Sequence, residues 1–335
     1  MIMRFDFPLI GKTEISVPQR GIAEFTKRQL IAYYEGVATE QSQTYSIKIF
    51  NNRIVDVYRL VVDNEMQLSR NFAISGKKII YKNYEYKEVN GVIEIRNMPY
   101  KLEIKRLIKN GIYNLRLISK SQQYALFHAK FYDCILFPLF SIYSILGFYL
   151  IHGSLLENRN KEYLSIIGLD GVGKTSMTLM LQDNGWRYLS DNFLLTNGKE
   201  YIPLNLTVRI DLDTKTNGRV IYKNRELKEI NNFIKMDIKI EAIKTFLLYI
   251  TQERSIISGT KKLTLREIMH FCCGAPEIKE ANAFCSPFVV LKNNIEGINY
   301  TLQENEMMNI HLLGIPKGQL DKGREVIESV YKFIC

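Results

Sequence analysis

Hydrophobic and polar residues alternate through much of the first third of the chain, and one early stretch departs from that alternation. Between Pro18 and Gly36, apolar residues recur close to helical spacing, which predicts an amphipathic helix. A glycine just beyond such a stretch favours a C-terminal cap, because glycine adopts positive φ angles without strain. The pattern therefore predicts a helix that ends near Gly36.

The rest of the first 125 or so residues predicts strands. Residues 46–50 and 54–62 alternate as two strands around a short turn. Residues 84–89 and 92–96 flank an Asn-Gly pair, and this pair tolerates the positive φ angles of a two-residue hairpin turn. The N-terminal part of the chain is therefore expected to be rich in β-structure.

Residues 134–151 form a run of 18 residues without a charge. By length, this run qualifies as a membrane span. Pro138 inside the run, its small polar residues and the lack of a basic cluster just beyond it favour a buried element. We predict a buried helix to about Gly147, then a buried strand over 148–156, and no membrane partner.

The second half of the chain alternates strands and helices. Residues 163–169 are an apolar strand, a glycine-rich loop follows, Lys174 to Asn184 is helical with Gly185 as its cap, and 186–195 is strand-like. Strand, loop, helix and strand in this order are typical of a nucleotide-binding α/β domain. Three more apolar segments predict a central strand and two helices, at 240–250, 263–272 and 323–334.

These patterns predict an α/β protein, α+β over the whole chain, with two domains. The length of 335 residues suits two domains. A β-rich N-terminal domain is expected over residues 1–130, and a second domain with the glycine-rich loop over 131–335.

Charge is distributed unevenly. The chain has 45 Lys and Arg against 35 Asp and Glu, a net charge of +10, and residues 1–150 contribute +8 of it. Within 101–130, seven basic side chains accompany a single acidic one. This stretch is either a solvated face or a surface that attracts acidic partners. On the second interpretation Lys105, Arg106 and Lys109 help to dock an acidic acceptor.

The five cysteines are unevenly spaced and imply no disulfide framework. The N-terminal residues meet charges too early for a signal peptide, so a cytoplasmic, reducing compartment is expected. His270, Cys272, Cys273 and Cys285 could suggest a zinc site. Their spacing matches no standard finger, and core or surface thiols are the favoured interpretation.

Residues 168–175, GLDGVGKT, fit the P-loop pattern G-x-x-x-x-G-K-[ST]. The glycines let backbone N–H groups point at phosphate oxygens, Lys174 would neutralise the terminal phosphates, and Thr175 would offer a hydroxyl to Mg²⁺. An apolar strand precedes the pattern and a helix follows it, as such a site requires; a glycine-rich turn without a ligand is the alternative. The predicted nucleotide-binding residues are Gly168, Asp170, Gly171, Val172, Gly173, Lys174, Thr175 and Ser176.

Two further residues narrow the chemistry. Asp191 ends the strand after the predicted helix, where a carboxylate can bind Mg²⁺ or accept a proton from an attacking hydroxyl. The simpler interpretation is a turn residue. His152 lies on the strand before the glycine-rich loop; a lone histidine on an apolar strand is more often a core residue than a catalytic one.

Ile151-His152-Gly153, the loop at 168–176 and GWRYLSDN over 185–192 together resemble the core of HPr kinase/phosphorylase and its relatives. The resemblance is strong over 148–196 and weak elsewhere. It implies the P-loop kinase fold shared with phosphoenolpyruvate carboxykinases, and ATP-dependent phosphorylation of a serine hydroxyl. The N-terminal sequence is similar to HPr-kinase-related proteins found beside peptide-modification genes, including lasso-peptide kinases.

The resemblance also implies roles for single residues. Lys174 and Thr175 match the phosphate and metal residues. Asp191 matches the first Asp of a pair, which implies a catalytic base or a phosphate-organising acid, and it is also a predicted metal ligand. His152 matches a functionally implicated histidine. The second Asp of that pair is Asn192 here, which removes a charge at the metal. No segment clearly matches the loop linked to phosphorylase activity, so the reverse reaction is doubtful.

Other residues are weaker candidates. Asp211 and Asp213 could reach the site if the run over 204–210 ends nearby. Tyrosines with basic neighbours, as in 81–87, could suggest RNA binding, but they form no ordered motif of an RNA module. Nucleic acid is therefore not an expected partner.

We expect an ATP- and Mg²⁺-dependent kinase that phosphorylates a Ser or Thr hydroxyl of a peptide or small protein, such as a ribosomally made peptide precursor. Catalysis of this kind is mostly positioning and electrostatics. The alternatives are a kinase for a small-molecule hydroxyl, a nucleotide-binding regulatory module without efficient catalysis, and a protein held in a membrane by 134–151. The choice of ATP or GTP and a homo-oligomeric state stay open.

Overall fold

The computed structural model describes residues 1–37, 45–50, 66–69, 72–75, 78–81, 84–89, 92–97, 127–169, 171–190, 193–204, 208–211, 225–228, 240, 243–272, 285 and 306–332. Over these residues the protein mixes helices with several sheets, which confirms the predicted α+β class. The chain divides into two compact units. Unit 1 comprises Met1–Ile142, Thr207–Glu229 and Phe284–Ile298, and unit 2 comprises Tyr143–Leu206, Ile230–Ala283 and Asn299–Cys335.

Unit 1 contains a sheet of nine strands that come from the first 97 residues. The strands are β1 (Ile2–Phe7), β2 (Gly11–Ser16), β3 (Tyr34–Val37), β4 (Tyr45–Phe50), β5 (Met66–Ser69), β6 (Phe72–Ser75), β7 (Lys78–Tyr81), β8 (Tyr84–Val89) and β9 (Val92–Asn97). Their order across the sheet is β3-β1-β2-β4-β9-β8-β7-β6-β5. The predicted strand over 46–50 is confirmed as β4, and the one over 54–62 lies outside the described residues.

The predicted hairpin is confirmed, because β8 and β9 are antiparallel and Val89 pairs with Val92. That register leaves two residues for the turn, as the Asn-Gly pair requires. Tyr86 on β8 is fully buried, and its hydroxyl donates a hydrogen bond of 2.9 Å to the carbonyl oxygen of Asp133.

Helix α1 (Arg20–Gln29) ends earlier than predicted. Leu30 is its C-cap, and a short 3-10 turn covers Ile31–Tyr33. The predicted cap at Gly36 is wrong, since Gly36 lies in β3 and pairs with Arg4 of β1. Strand pairing is a tertiary contact, and here it outweighs the local preference for helix.

The uncharged run from Cys134 begins inside a π-helix, Tyr132–Leu136, that continues into helix α2 (Phe137–Ile145). Pro138 has no N–H to donate, and its ring clashes with the carbonyl four residues earlier, so a wider π turn just before it is favourable. Most of this run is buried, and the predicted core helix is present. The stretch predicted as one strand over 148–156 is instead two strands, Tyr149–Ile151 and Gly153–Glu157, in different sheets. Among the described residues, no helix has the length and apolar character needed to cross a membrane.

The remaining strands are β10 (Tyr149–Ile151), β11 (Gly153–Glu157), β12 (Tyr163–Gly168), β13 (Arg187–Ser190), β14 (Leu194–Thr196), β15 (Tyr201–Pro203), β16 (Val208–Asp211), β17 (Arg225–Lys228), β18 (Lys244–Thr251), β19 (Ile257–Thr264) and β20 (Met307–Pro316). The remaining helices are α3 (Lys174–Asp183), α4 (Leu265–Cys272) and α5 (Leu320–Lys332). The predicted helices over 174–184 and 323–334 are confirmed as α3 and α5. The stretch predicted as one strand over 186–195 is two strands, β13 and β14, in different sheets.

Unit 2 is built around a mixed sheet of six strands in the order β13-β11-β12-β18-β20-β19. Strands β12, β18 and β20 run parallel, and β19 is antiparallel to β20. Strand β11 lies between β12 and β13 and is antiparallel to both. The strand–loop–helix–strand order predicted from the sequence is therefore present, but β12 and β13 are not neighbours.

Hydrophobic side chains cover both faces of this sheet. On one face, Ile166 and Leu313 pack in a cluster with Met177 of α3 and Ile327 of α5. On the other face, Ile167 and the strands β10, β14 and β15 share a second cluster with α4. Because successive residues of a strand point to opposite faces, Ile166 packs in the first cluster and Ile167 packs in the second.

Helix α5 is fixed through Tyr331 near its C-terminal end. The Tyr331 hydroxyl donates a hydrogen bond of 2.9 Å to the carbonyl oxygen of Tyr163, and its ring packs edge-on against Trp186 at 4.9 Å between centroids. The Lys244 ammonium lies 4.1 Å from the same ring centroid and donates to the carbonyl oxygen of Val330 at 3.2 Å. Burial raises the pKa of the Tyr331 phenol above its usual value, so the phenol stays neutral and keeps its donor proton.

Candidate functional site

The strands of the six-stranded sheet bring several candidate residues to one edge. The parallel strands β12, β18 and β20 end at Gly168, Thr251 and Pro316, and we call this the carboxyl edge. Strands β12 and β13 are both antiparallel to β11, so they run in the same direction. Strand β13 therefore also ends at this edge, at Ser190. Strand β11 begins there, at Gly153, which pairs with Ile167. Ligands of open α/β sheets bind outside the carboxyl ends of parallel strands.

The glycine loop, residues 168–173, has backbone conformations that suit glycine. Gly168, Gly171 and Gly173 have φ angles of +154°, +76° and +94°. A Cβ atom at Gly168 would overlap the carbonyl oxygen of Leu248 on the neighbouring strand. Glycine is therefore required at the point where the chain leaves β12, both for its φ angle and for space. Gly171 is exposed, whereas Val172 is buried in the cluster beneath α3.

Lys174 is the first residue of α3 and is only 4% exposed. Its ammonium donates a hydrogen bond of 2.6 Å to the carbonyl oxygen of Leu169, so the side chain folds back over the glycine loop. Thr175 is half-buried and Ser176 is exposed in the same first turn. Gly173 is the N-cap of this helix, which places the positive end of the helix dipole at the loop.

Helix α3 is tied to the strand that follows His152. The hydroxyl of Thr178 lies 2.6 Å from Oγ of Ser154 on β11 and 3.0 Å from the carbonyl oxygen of Lys174. Thr178 and Ser154 are both buried. Their contact fixes the first turn of α3 against the sheet and thereby the position of Lys174.

Thr178→Val keeps the shape of the side chain and removes its hydroxyl. The variant leaves the buried Ser154 hydroxyl without this contact, so we expect the free energy of unfolding to fall by about 1–2 kcal/mol. Chemical denaturation measures the change. Thr260→Val, the same replacement at an exposed position of β19, is the matched control. Equal unfolding free energies for the two variants would contradict a structural role for the Thr178 hydroxyl.

His152 is buried where the chain crosses from one sheet to another. It lies between β10, of the three-stranded sheet, and β11, of the six-stranded sheet. Ile151 pairs with Leu194, and Leu155 pairs with Ser190. The structure therefore places His152 at the carboxyl edge, between two residues whose strand partners are Leu194 and Ser190.

The segment that links β13 to β14 contains Asp191 and Asn192, which lie outside the described residues, as does Asp170. The residues on either side are buried, and the Ser190 hydroxyl donates a hydrogen bond of 3.2 Å to the carbonyl oxygen of Phe193. The predicted roles of Asp170, Asp191 and Asn192 stay predictions.

The remaining candidates lie elsewhere in the chain. Asp211 is the last residue of β16 and pairs with Arg225, in unit 1; Asp213 is outside the described residues. Cys285 is buried with its sulfur 3.9 Å from the hydroxyl of Ser141, while Cys273 is not described. Within the described part of the chain, no three His, Cys, Asp or Glu side chains are grouped so that they could hold a metal ion.

The turn between β20 and α5 was not predicted as part of the site, and it leads directly to a residue that packs against the glycine loop. A Cβ atom at Gly173 would lie 3.2 Å from both methyl carbons of Leu320, so Leu320 packs closely on this glycine. Gly318 was the available signal, because a glycine between an apolar strand and a helix indicates a tight turn.

Comparison with known protein families finds no family that matches this chain, and comparison with curated proteins finds no significant match.

Proposed function

We propose that the protein is an ATP-dependent kinase that transfers the γ-phosphoryl group to a Ser or Thr hydroxyl of a peptide or small protein. The observation that carries the proposal is the glycine loop at the end of the central strand β12. Its three glycines have positive φ angles, and Lys174 opens the helix that follows. Such a loop presents backbone N–H groups and a helix N-terminus to the same anion.

The shape of the loop supports a phosphate chain as its ligand. No Cβ atom can be accommodated at Gly168, and a Cβ at Gly171 would meet open space. Glycine at 171 suits the positive φ angle, and the open space beside it leaves the backbone accessible to a ligand. The Lys174 ammonium contacts the loop itself, and we propose that it exchanges the Leu169 carbonyl for phosphate oxygens when nucleotide binds.

Phosphoryl transfer forms a bond between the acceptor oxygen and the γ-phosphorus and breaks the bond from that phosphorus to the bridging oxygen of ADP. Lys174 and the loop N–H groups would stabilise the negative charge on the transferring group and on ADP. The acceptor hydroxyl proton would pass to the carboxylate of Asp191. Ser190, the residue before Asp191 in the sequence, ends β13 at the carboxyl edge.

A magnesium ion would be held by Thr175 and Asp191, since a hydroxyl and a carboxylate are ligands that Mg²⁺ accepts. When bound, the ion neutralises charge on the phosphate oxygens. Asn192 would add an amide oxygen where the related kinases have a carboxylate.

His152 is proposed as a functional residue because of its place in the fold. It is buried at the crossing between the two sheets, and strand residues on either side of it pair with Leu194 and Ser190. An imidazole there can orient that carboxylate or the acceptor through a hydrogen bond. We also propose that the protein has the HPr-kinase-like fold and is similar in function to peptide kinases. The acceptor-docking role of Lys105, Arg106 and Lys109 concerns residues outside the described part of the chain and stays a prediction.

A nucleotide-binding regulatory module is the second candidate function. Asn192 favours it, because the loss of one carboxylate beside the metal weakens the case for efficient catalysis. A module of this kind binds ATP through the same loop and transfers no phosphate.

Incubation of the protein with labelled ATP, Mg²⁺ and a set of Ser- and Thr-containing peptides tests the proposal. We expect mass spectrometry to show a mass increase of one phosphate on an acceptor, and the label to move with it. Binding of ATP without transfer to any acceptor would favour the regulatory module. Transfer to a small alcohol and not to peptides would redirect the proposal to a small-molecule kinase. Failure to bind either ATP or GTP would overturn all three.

A further inference from the structure

The turn between β20 and α5 presents one lysine beside the glycine loop. Pro316 ends β20 at the carboxyl edge, and the Gln319 N–H donates a hydrogen bond of 3.0 Å to the carbonyl oxygen of Pro316. Gly318 has a φ angle of +83°, as the third residue of a type II turn requires. Lys317 is therefore the second residue of this turn, and it is exposed.

The turn is held in place by two close contacts with α3. Leu320, the first residue of α5, packs on Gly173 of the glycine loop. One turn further along α5, a Cβ atom at Gly323 would lie 3.1 Å from Cε of Met177 and would overlap the side chain of Ile315. The turn thus starts from a strand of the sheet and continues into a helix that is packed against α3. Its position relative to the glycine loop is fixed by buried side chains.

Lys174 and Lys317 differ in how they are placed. Lys174 is buried and contacts the loop carbonyl. Lys317 is exposed in the turn that leads to Leu320, three residues before the side chain that packs on Gly173. A lysine on a flexible stem can follow a phosphate group as it moves. An exposed charge contributes mainly through long-range attraction, which salt screens over about 8 Å at 0.15 M.

We propose that Lys317 is a second phosphate-binding cation of the glycine loop and contacts the polyphosphate of a bound nucleotide in addition to the buried Lys174. This inference rests on the proposed nucleotide function. It adds to that function a residue that raises affinity for the phosphate chain. The nucleoside plays no part in it, so inorganic tripolyphosphate is recognised in the same way.

Calorimetric titration of the full chain with ATP and with tripolyphosphate tests the inference. We expect Lys317→Ala to raise the Kd of both ligands about fivefold to tenfold at low salt, and by less at 0.5 M salt because of screening. Lys317→Glu should raise it further, and Lys317→Arg should keep it near the wild-type value. Lys262→Ala, which removes an exposed lysine from the middle of β19, is the matched control and should change neither Kd.

The outcomes separate this inference from the proposed function. If the wild type binds ATP and Lys317→Ala binds it within twofold at every salt concentration, the inference is overturned and the nucleotide function stands. A loss for Lys317→Ala that is the same at low and high salt would indicate a disturbed turn and would also overturn it. If the wild type binds neither ATP nor tripolyphosphate, both fail together. Thermal unfolding of each variant checks that the substitution leaves the fold intact.

Discussion

Lys174→Ala is expected to lower kcat/KM for ATP at least about 100-fold, because it removes the buried cation that faces the phosphates in the proposed site. The side chain is 4% exposed at the first residue of α3, and the exposed Lys317 cannot occupy that buried position. Turnover of labelled ATP and calorimetric binding measure the effect. Wild-type turnover by this variant would show that the glycine loop does not bind the reacting phosphates.

Loss of folding must be separated from loss of chemistry in this experiment. The alanine also removes the 2.6 Å hydrogen bond to the Leu169 carbonyl, which contributes about 1 kcal/mol to stability. A small decrease in melting temperature is therefore expected. Lys161→Ala is the control, because Lys161 is exposed in the turn before β12, at the opposite edge of the sheet. It should turn over ATP like the wild type.

Asp191→Asn is expected to cut phosphoryl transfer about 100-fold or more while ATP affinity stays within about tenfold. The amide keeps the shape of the side chain and removes the charge that would accept the hydroxyl proton. Single-turnover transfer to the identified acceptor, together with ATP titration, measures the two quantities separately. Asp183→Asn, at the exposed last residue of α3, is the matched control and should change neither.

The pattern of losses distinguishes the roles of Asp191. Equal losses in ATP affinity and in rate would indicate a residue that binds the metal and accepts no proton. An unchanged transfer rate would place the catalytic carboxylate elsewhere, and Asp211 and Asp213 would be the next candidates. Asp191→Asn could slow transfer to the Ser or Thr hydroxyl and leave transfer to a small nucleophile such as hydroxylamine unchanged. That result would show that Asp191 activates the acceptor hydroxyl.

Elements that depend on neighbouring residues were predictable from the sequence. The hairpin between β8 and β9 follows from an Asn-Gly turn, and α3 and α5 follow from apolar spacing. The buried α2 follows from a run without charges. Gly36 shows the limit of such reasoning, because β1 draws the residues around it into a strand.

Elements that depend on distant partners were not predictable. The apolar stretch after α3 gives no sign that it divides between two sheets, since both of its halves are hydrophobic and buried. Nor does the sequence place β11 between β12 and β13. Which strand becomes a neighbour depends on side chains far apart along the chain, and local propensity carries little information about that choice.

By itself, the sequence determined the chemistry that the glycine loop offers: three glycines that allow positive φ angles, one lysine, and hydroxyls at the start of a helix. The tertiary structure decided what surrounds that loop. It brought His152 and Ser190 to the edge where β12 ends, and it packed Leu320 on Gly173 so that Lys317 lies at the tip of an adjoining turn. The physical reason is that backbone conformation at glycine is a local property, whereas sheet order and helix docking minimise exposed hydrophobic surface over the whole unit.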